Sequence, residues 1–211
     1  MRRITATFLM AALCVASVQA ASVTYEAVYE FSAATAPEGT PPWLTATFDD
    51  GGTPGSVDLY LEATNLVGTE SVFPWLFNLD PVYDPNALVF STPIKTGAFG
   101  DPIISTGANA FMADGDGLFD IKIAFRINDG AAQRFGAGDA VQYTITGIPT
   151  LTAYSFDFLS YVDGGGMGGY PMAAQVIAIG PYDESGWVTV PEPAALALLG
   201  VGGLALARRR R

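Results

Sequence analysis

Residues 119–128, FDIKIAFRIN, put Phe119, Ile121, Ile123, Phe125 and Ile127 at alternate positions, with Asp120, Lys122, Ala124, Arg126 and Asn128 between them. A period of two is that of an extended strand with one face on a core and one on water. The same alternation recurs outward in both directions. Downstream, Val141, Tyr143 and Ile145 repeat it; upstream, Val57, Leu59 and Leu61 alternate with Asp58, Tyr60 and Glu62, and Leu44, Ala46 and Phe48 mark another run. Near the start, Val23, Tyr25, Ala27, Tyr29 and Phe31 alternate with Thr24, Glu26, Val28 and Glu30 and read as one long strand. Further strand candidates are 71–77, 86–91, 151–161, 172–179 and 187–190. Between the runs stand Asp50-Gly51-Gly52, Asp84-Pro85-Asn86, Gly115-Asp116-Gly117, Asp129-Gly130 and Gly164-Gly165-Gly166, which suit turns and positive φ angles. No long amphipathic helix competes. The pattern predicts an all-β body at residues 22–189, an antiparallel β-sandwich or jelly roll of about eight to ten strands.

Composition narrows the chemistry. The 211 residues contain no histidine, which removes Ser-His-Asp triads, Cys-His pairs, histidine general bases and zinc sites that need imidazole. The net charge of -11 is unevenly built: Arg2, Arg3 and Arg208–Arg211 hold most of the basic charge, leaving Lys95, Lys122, Arg126 and Arg134 against twenty acids from Glu26 to Glu184. The body is therefore near -16, and such a surface repels nucleic acid and anionic membrane.

Both ends read as addresses. Met1-Arg2-Arg3, an apolar stretch from Ile4 to Val18 and the small-x-small exit Val18-Gln19-Ala20 make residues 1–21 a secretory signal peptide, cut after Ala20 or Ala21. The single cysteine, Cys14, leaves with it, so the exported chain forms no disulfide. At the other end, residues 190–211 hold Pro191-Glu192-Pro193, the run AALALLGVGGLALA from Ala194 to Ala207, and four arginines. As a helix the run spans about 21 Å against roughly 30 Å of hydrocarbon, so transient anchoring calls on flanking residues and snorkelling arginines. Arginines after an apolar run favour a cytoplasmic C-terminus, in keeping with an exported N-terminus.

This order of Pro-Glu-Pro, apolar segment and arginine tail resembles the PEP-CTERM protein-sorting signal, also catalogued as an ice-binding-protein C-terminal domain, a name that implies no ice activity. The resemblance implies recognition by the export machinery and by an exosortase, a membrane cysteine transpeptidase of Gram-negative bacteria. It implies processing near Pro191–Pro193, with Glu192 and Arg208, Arg209, Arg210 and Arg211 as further parts of the signal. It implies inner-membrane anchoring before processing, then delivery to the envelope, outer surface or extracellular matrix. The body also resembles domains found upstream of this signal, at 43–50, Phe77-Asn78 and 114–125.

Within the body, Asp114, Asp116 and Asp120 stand at offsets that can converge on a hard cation, with Gly115 and Gly117 letting the loop turn; calcium is the natural candidate, and an ordinary Asp-Gly turn is the competing reading. Trp43, Trp75 and Trp187 either complete the core or stack on a glycan. Paired carboxylates can hydrolyse glycosides without histidine, but nothing in the order of the acids pairs any two across a cleft. The sequence thus predicts a non-enzymatic, structural protein of the envelope or matrix with no obligate cofactor. The alternatives are a calcium-assisted glycan-binding or adhesion module that meets exopolysaccharide and, behind it, a carboxylate glycoside hydrolase.

Overall fold

The computed structural model describes residues 19–128, 130–162 and 169–191. The predicted signal peptide up to residue 18, Asp129, the Gly164–Gly166 turn and the predicted apolar helix of the tail lie outside the described residues, among which no helix is long and apolar enough to cross a membrane.

Thirteen strands are described: β1 (Ser22–Ala27), β2 (Tyr29–Glu30), β3 (Leu44–Asp49), β4 (Val57–Glu62), β5 (Ser71–Phe77), β6 (Val89–Phe90), β7 (Ile94–Thr96), β8 (Ile103–Met112), β9 (Leu118–Ala124), β10 (Phe135–Gly136), β11 (Ala140–Thr146), β12 (Met172–Ile179) and β13 (Glu184–Thr189). The first sheet runs β1-β3-β4-β11-β6, with β7 also on β11; the second runs β2-β13-β12-β5-β9-β8, with β10 on β5. Every pairing is antiparallel. The strand count exceeds the expected range because four of these pieces have only two or three residues.

The inward faces of the two sheets share one core. Phe48 of β3 stacks on Phe156 at 4.2 Å between ring centroids and meets Phe77 of β5 edge-on at 5.2 Å, which ties the sheets together. Burying a ring of this size removes enough apolar surface to contribute about 1.5–3 kcal/mol. A second, smaller cluster joins Leu76 and Ala173, which alternate with core residues Phe77 and Met172, to Phe119 and Tyr170.

Several expectations need correction. Residues 23–31 are not one strand. Val28 separates β1 from β2, the chain passes from one sheet to the other there, and Tyr29 ends half-exposed instead of facing the core. Residues 151–161 form no strand either. A 3-10 turn occupies Ala153–Phe156, closed by Ser155 N donating to Thr152 O at 3.0 Å and Thr152 N donating to Ser155 Oγ at 3.1 Å. At 86–91 only Val89–Phe90 pairs, because the Asp84 side chain accepts from Asn86 N and starts a turn at Pro85. The alternation of 119–128 is a strand only to Ala124, although Phe125 stays buried.

Candidate functional site

The Asp114–Asp120 segment joins β8 to β9. Asp114 lies at φ 47°, Gly115 at 80° and Gly117 at 140°, while Asp116 N donates to Ala113 O at 2.7 Å to close the turn. A side chain at Gly117 would both strain this backbone and put its Cβ 2.5 Å from Ser160 Oγ, so glycine is required there. Asp114 and Asp116 share the turn. Desolvation first, then Asp116 and Glu30, hold the Asp114 carboxyl above the usual carboxylate range. Asp120 serves the fold instead. Its Oδ2 accepts from Leu79 N at 2.9 Å and its Oδ1 from Asn109 N at 2.8 Å, which ties β9 to the chain after β5 and to the irregular part of β8. Among the described residues, no group of three or more acids is placed to hold a metal ion.

The tryptophans are not presented for stacking. Trp75 is fully buried, Trp43 is buried with Nε1 donating to Gly39 O at 2.6 Å, and Trp187 packs half-buried against the smaller apolar cluster. Of the clefts, one of about 420 Å³ lies between Leu79–Tyr83 and Phe158–Val162 and presents Asp120; another of about 420 Å³, lined by Lys95, Phe99 and Arg126, presents Asp101. Each thus offers one carboxylate among the described residues, where acid–base hydrolysis of a glycoside would use two facing each other. The second cleft, with Tyr143 in an adjoining one, escaped sequence reading because its residues come from separate strands and loops; the confinement of all four body bases to 95–134 was the available signal.

The junction with the tail is the other site the fold positions. β13 lies between β12 and β2, with Val188 opposite Glu30 and Thr189 opposite Tyr29. Thr189 is fully buried; its Oγ1 donates to Met172 O, and its carbonyl accepts from Val28 N at 3.1 Å. Val190 still packs on the core, so the body grips the chain up to the first proline of Pro191-Glu192-Pro193. Residues 189–211 match the PEP-CTERM protein-sorting motif. No curated protein and no solved structure matches the chain. Glu192, Pro193 and the four arginines lie outside the described residues, while Pro191 is the last residue described.

The PEP-CTERM motif marks this chain as an exported cell-surface protein and a substrate for sorting, consistent with a structural, non-enzymatic role. Export machinery and exosortase are its implied partners, and processing through that pathway is its implied fate.

Proposed function

We propose that the chain is a structural component of the envelope or extracellular matrix of a Gram-negative bacterium, held in the inner membrane by its tail until an exosortase releases it. The observation that carries this reading is that the PEP-CTERM motif begins at Thr189, the buried last residue of β13. Only Val190 to Pro193 separate Thr189 from the apolar run, and four extended residues reach at most about 14 Å. Before processing, the body therefore rests close to the bilayer, on the exported side, where its acidic surface keeps it soluble and apart from anionic lipid. Exopolysaccharide or matrix is the partner after release. The jelly-roll reading of the two sheets belongs to the same proposal, supported by the passage of β1 into β2 from one sheet to the other.

Expression of the full chain and of a form ending at Val190, in a host with active exosortase, tests the reading. The full chain is expected to pass through the membrane fraction and to lose the mass of its tail, whereas the shortened form appears directly in soluble exported fractions. An unprocessed tail, or the same distribution for both forms, overturns it.

Calcium-assisted adhesion is a second reading, favoured by one observation: Asp114 sits in mutual repulsion with Asp116 and Glu30, which a divalent cation would relieve. Asp120 takes no part in this version, since both of its oxygens already accept amide bonds. For a site of about millimolar affinity, 10 mM calcium would raise Tm by roughly 3–5 °C. The rise should vanish in Asp114→Asn. An unchanged melting curve for the parent protein removes the calcium reading.

A further inference from the structure

Along the open side of the sandwich, where β6 and β7 end the first sheet and β8 ends the second, three depressions of about 380, 420 and 350 Å³ follow one another. Asp101 lines both the first and the second, and Arg126 both the second and the third, so the three adjoin as one grooved surface. Its first section mixes apolar side chains, Phe90, Pro93, Pro102 and Ile104, with the polar Ser91, Asp101 and Thr106, and Tyr143 also lines it.

Two independent observations mark this groove. Tyr143 is 1% exposed and its hydroxyl has no hydrogen-bond partner, although a buried donor left unmade is costly. Burial, and secondarily the charge of Asp101, pushes its phenol far above the ordinary value, so it keeps its proton and can donate a hydrogen bond throughout the physiological range. The second observation is charge. In a body near -16, two of the four bases, Lys95 and Arg126, line the middle section, and a third, Arg134, lies nearby with its Nε donating to the carbonyl of Ile127 at 3.1 Å. Gly100 lets Arg126 lie close, since a Cβ there would meet Arg126 Cδ at 2.5 Å. Asp101, bonded to Lys95 at 2.7 Å, and Asp139, packed against Gly97, are the nearby countercharges.

We propose that this groove binds an acidic polysaccharide, with uronate carboxylates at Lys95 and Arg126 and a sugar oxygen accepting from the Tyr143 hydroxyl. Apolar walls suit the C–H faces of sugar rings, and the planar guanidinium suits a carboxylate. Lys95 keeps its bond to the carbonyl of Phe99 at 3.0 Å while its partner Asp101, the exposed member of the pair, can turn to solvent around such a ligand. The assignment deepens the matrix role proposed above by naming its ligand class. It is tested on purified protein and the sorting role in cells, so either can fail alone.

Calorimetric titration of the full chain in detergent with oligogalacturonate, and in parallel with a neutral cello-oligosaccharide, decides it. Saturable binding of the uronate is expected, weakened by salt, with the neutral sugar at least tenfold weaker. Arg126→Gln should weaken uronate binding about tenfold or more. Tyr143→Phe should weaken it about fivefold, the worth of one hydrogen bond, while leaving Tm unchanged or higher because no internal partner is lost. Absence of saturable heat, equal affinity for the neutral sugar, or a Tyr143→Phe form that binds normally or melts earlier overturns the proposal.

Discussion

Asn78→Asp is expected to destabilise the body by about 3–5 kcal/mol at neutral pH, lowering Tm by roughly 10 °C. Asn78 is 2% exposed, and its Nδ2 donates to three carbonyls: Phe158 O at 3.0 Å, Tyr170 O at 3.0 Å and Pro171 O at 3.2 Å. Carbonyl oxygens only accept, so the side chain has to present its amino group there. Aspartate has the same shape with nothing to donate, and it would set a buried negative charge against three carbonyl dipoles. Its carboxyl would be driven above the ordinary aspartate value near 3.9. The sign of the pH dependence follows: between the unfolded and folded values the native state binds the extra proton, so the variant loses stability as pH rises through that window. Melting curves from pH 4 to 7 should show the gap from the parent protein widening toward neutrality, and a gap that stays constant with pH would show that the three carbonyls do not face this group. Asn78→Ala, which leaves the carbonyls unpartnered without adding charge, should cost less, about 2 kcal/mol, with little pH dependence.

The same clamp shows what pattern reading can and cannot see. Strands with one buried face were legible as alternation. Residues 71–77 and 172–179 coincide with β5 and β12, and the runs at Leu44, Val57 and Val141 coincide with β3, β4 and β11. The longest strand, β8, was not legible, because it lies at an edge, much of it is exposed, and a bulge between Thr106 and Phe111 with Asn109 at φ 50° destroys any period. Residues 151–161 misled for the opposite reason: Leu151, Ala153 and Phe156 are buried, but as plugs at the end of the core with no strand partners beyond a single bridge from Tyr161 to Leu118. The tail was legible because its information is contiguous. Asp120 shows the limit within a motif, since spacing placed it with Asp114 and Asp116 while the fold spends it on the amides of Leu79 and Asn109. Lys95 and Arg126 share one cleft, and Tyr143 lines the adjoining one, only through the sheet order, which no local window contains.

Asp50→Asn is expected to cost about 2 kcal/mol above pH 5, or roughly 4–8 °C in Tm. Asp50 is 7% exposed; its Oδ1 accepts from Ala21 N at 2.8 Å and Gly52 N at 2.9 Å, and its Oδ2 from Ala153 N at 3.3 Å. One carboxylate thereby joins the start of β1, the turn after β3 and the 3-10 turn that carries Phe156 under the core. Burial, the largest single influence, acts to raise its pKa, yet the three amide bonds together outweigh it and hold the group below the usual carboxylate value. A depressed folded value means stability that is present above the unfolded value near 3.9 and lost as pH falls through the folded one. Asparagine keeps one acceptor but turns a second donor toward an amide, and it does not titrate. Parent and variant should therefore separate at pH 6 and converge toward pH 2–3; a constant difference across that range would assign the loss to packing instead of the charge. Export bears on the same contact. If the signal is cut after Ala20, the nitrogen 2.8 Å from Asp50 becomes the mature α-ammonium, and a hydrogen bond becomes an ion pair at the lip of the core. Cutting after Ala21 would delete both that bond and the Ala21 carbonyl that accepts from Asp50 N at 3.1 Å. A signal peptide ending at Ala20 would keep both bonds, so Ala21 is the expected first mature residue, which intact mass would read directly, and acetylation of that amine should then destabilise the parent protein while leaving Asp50→Asn nearly unchanged.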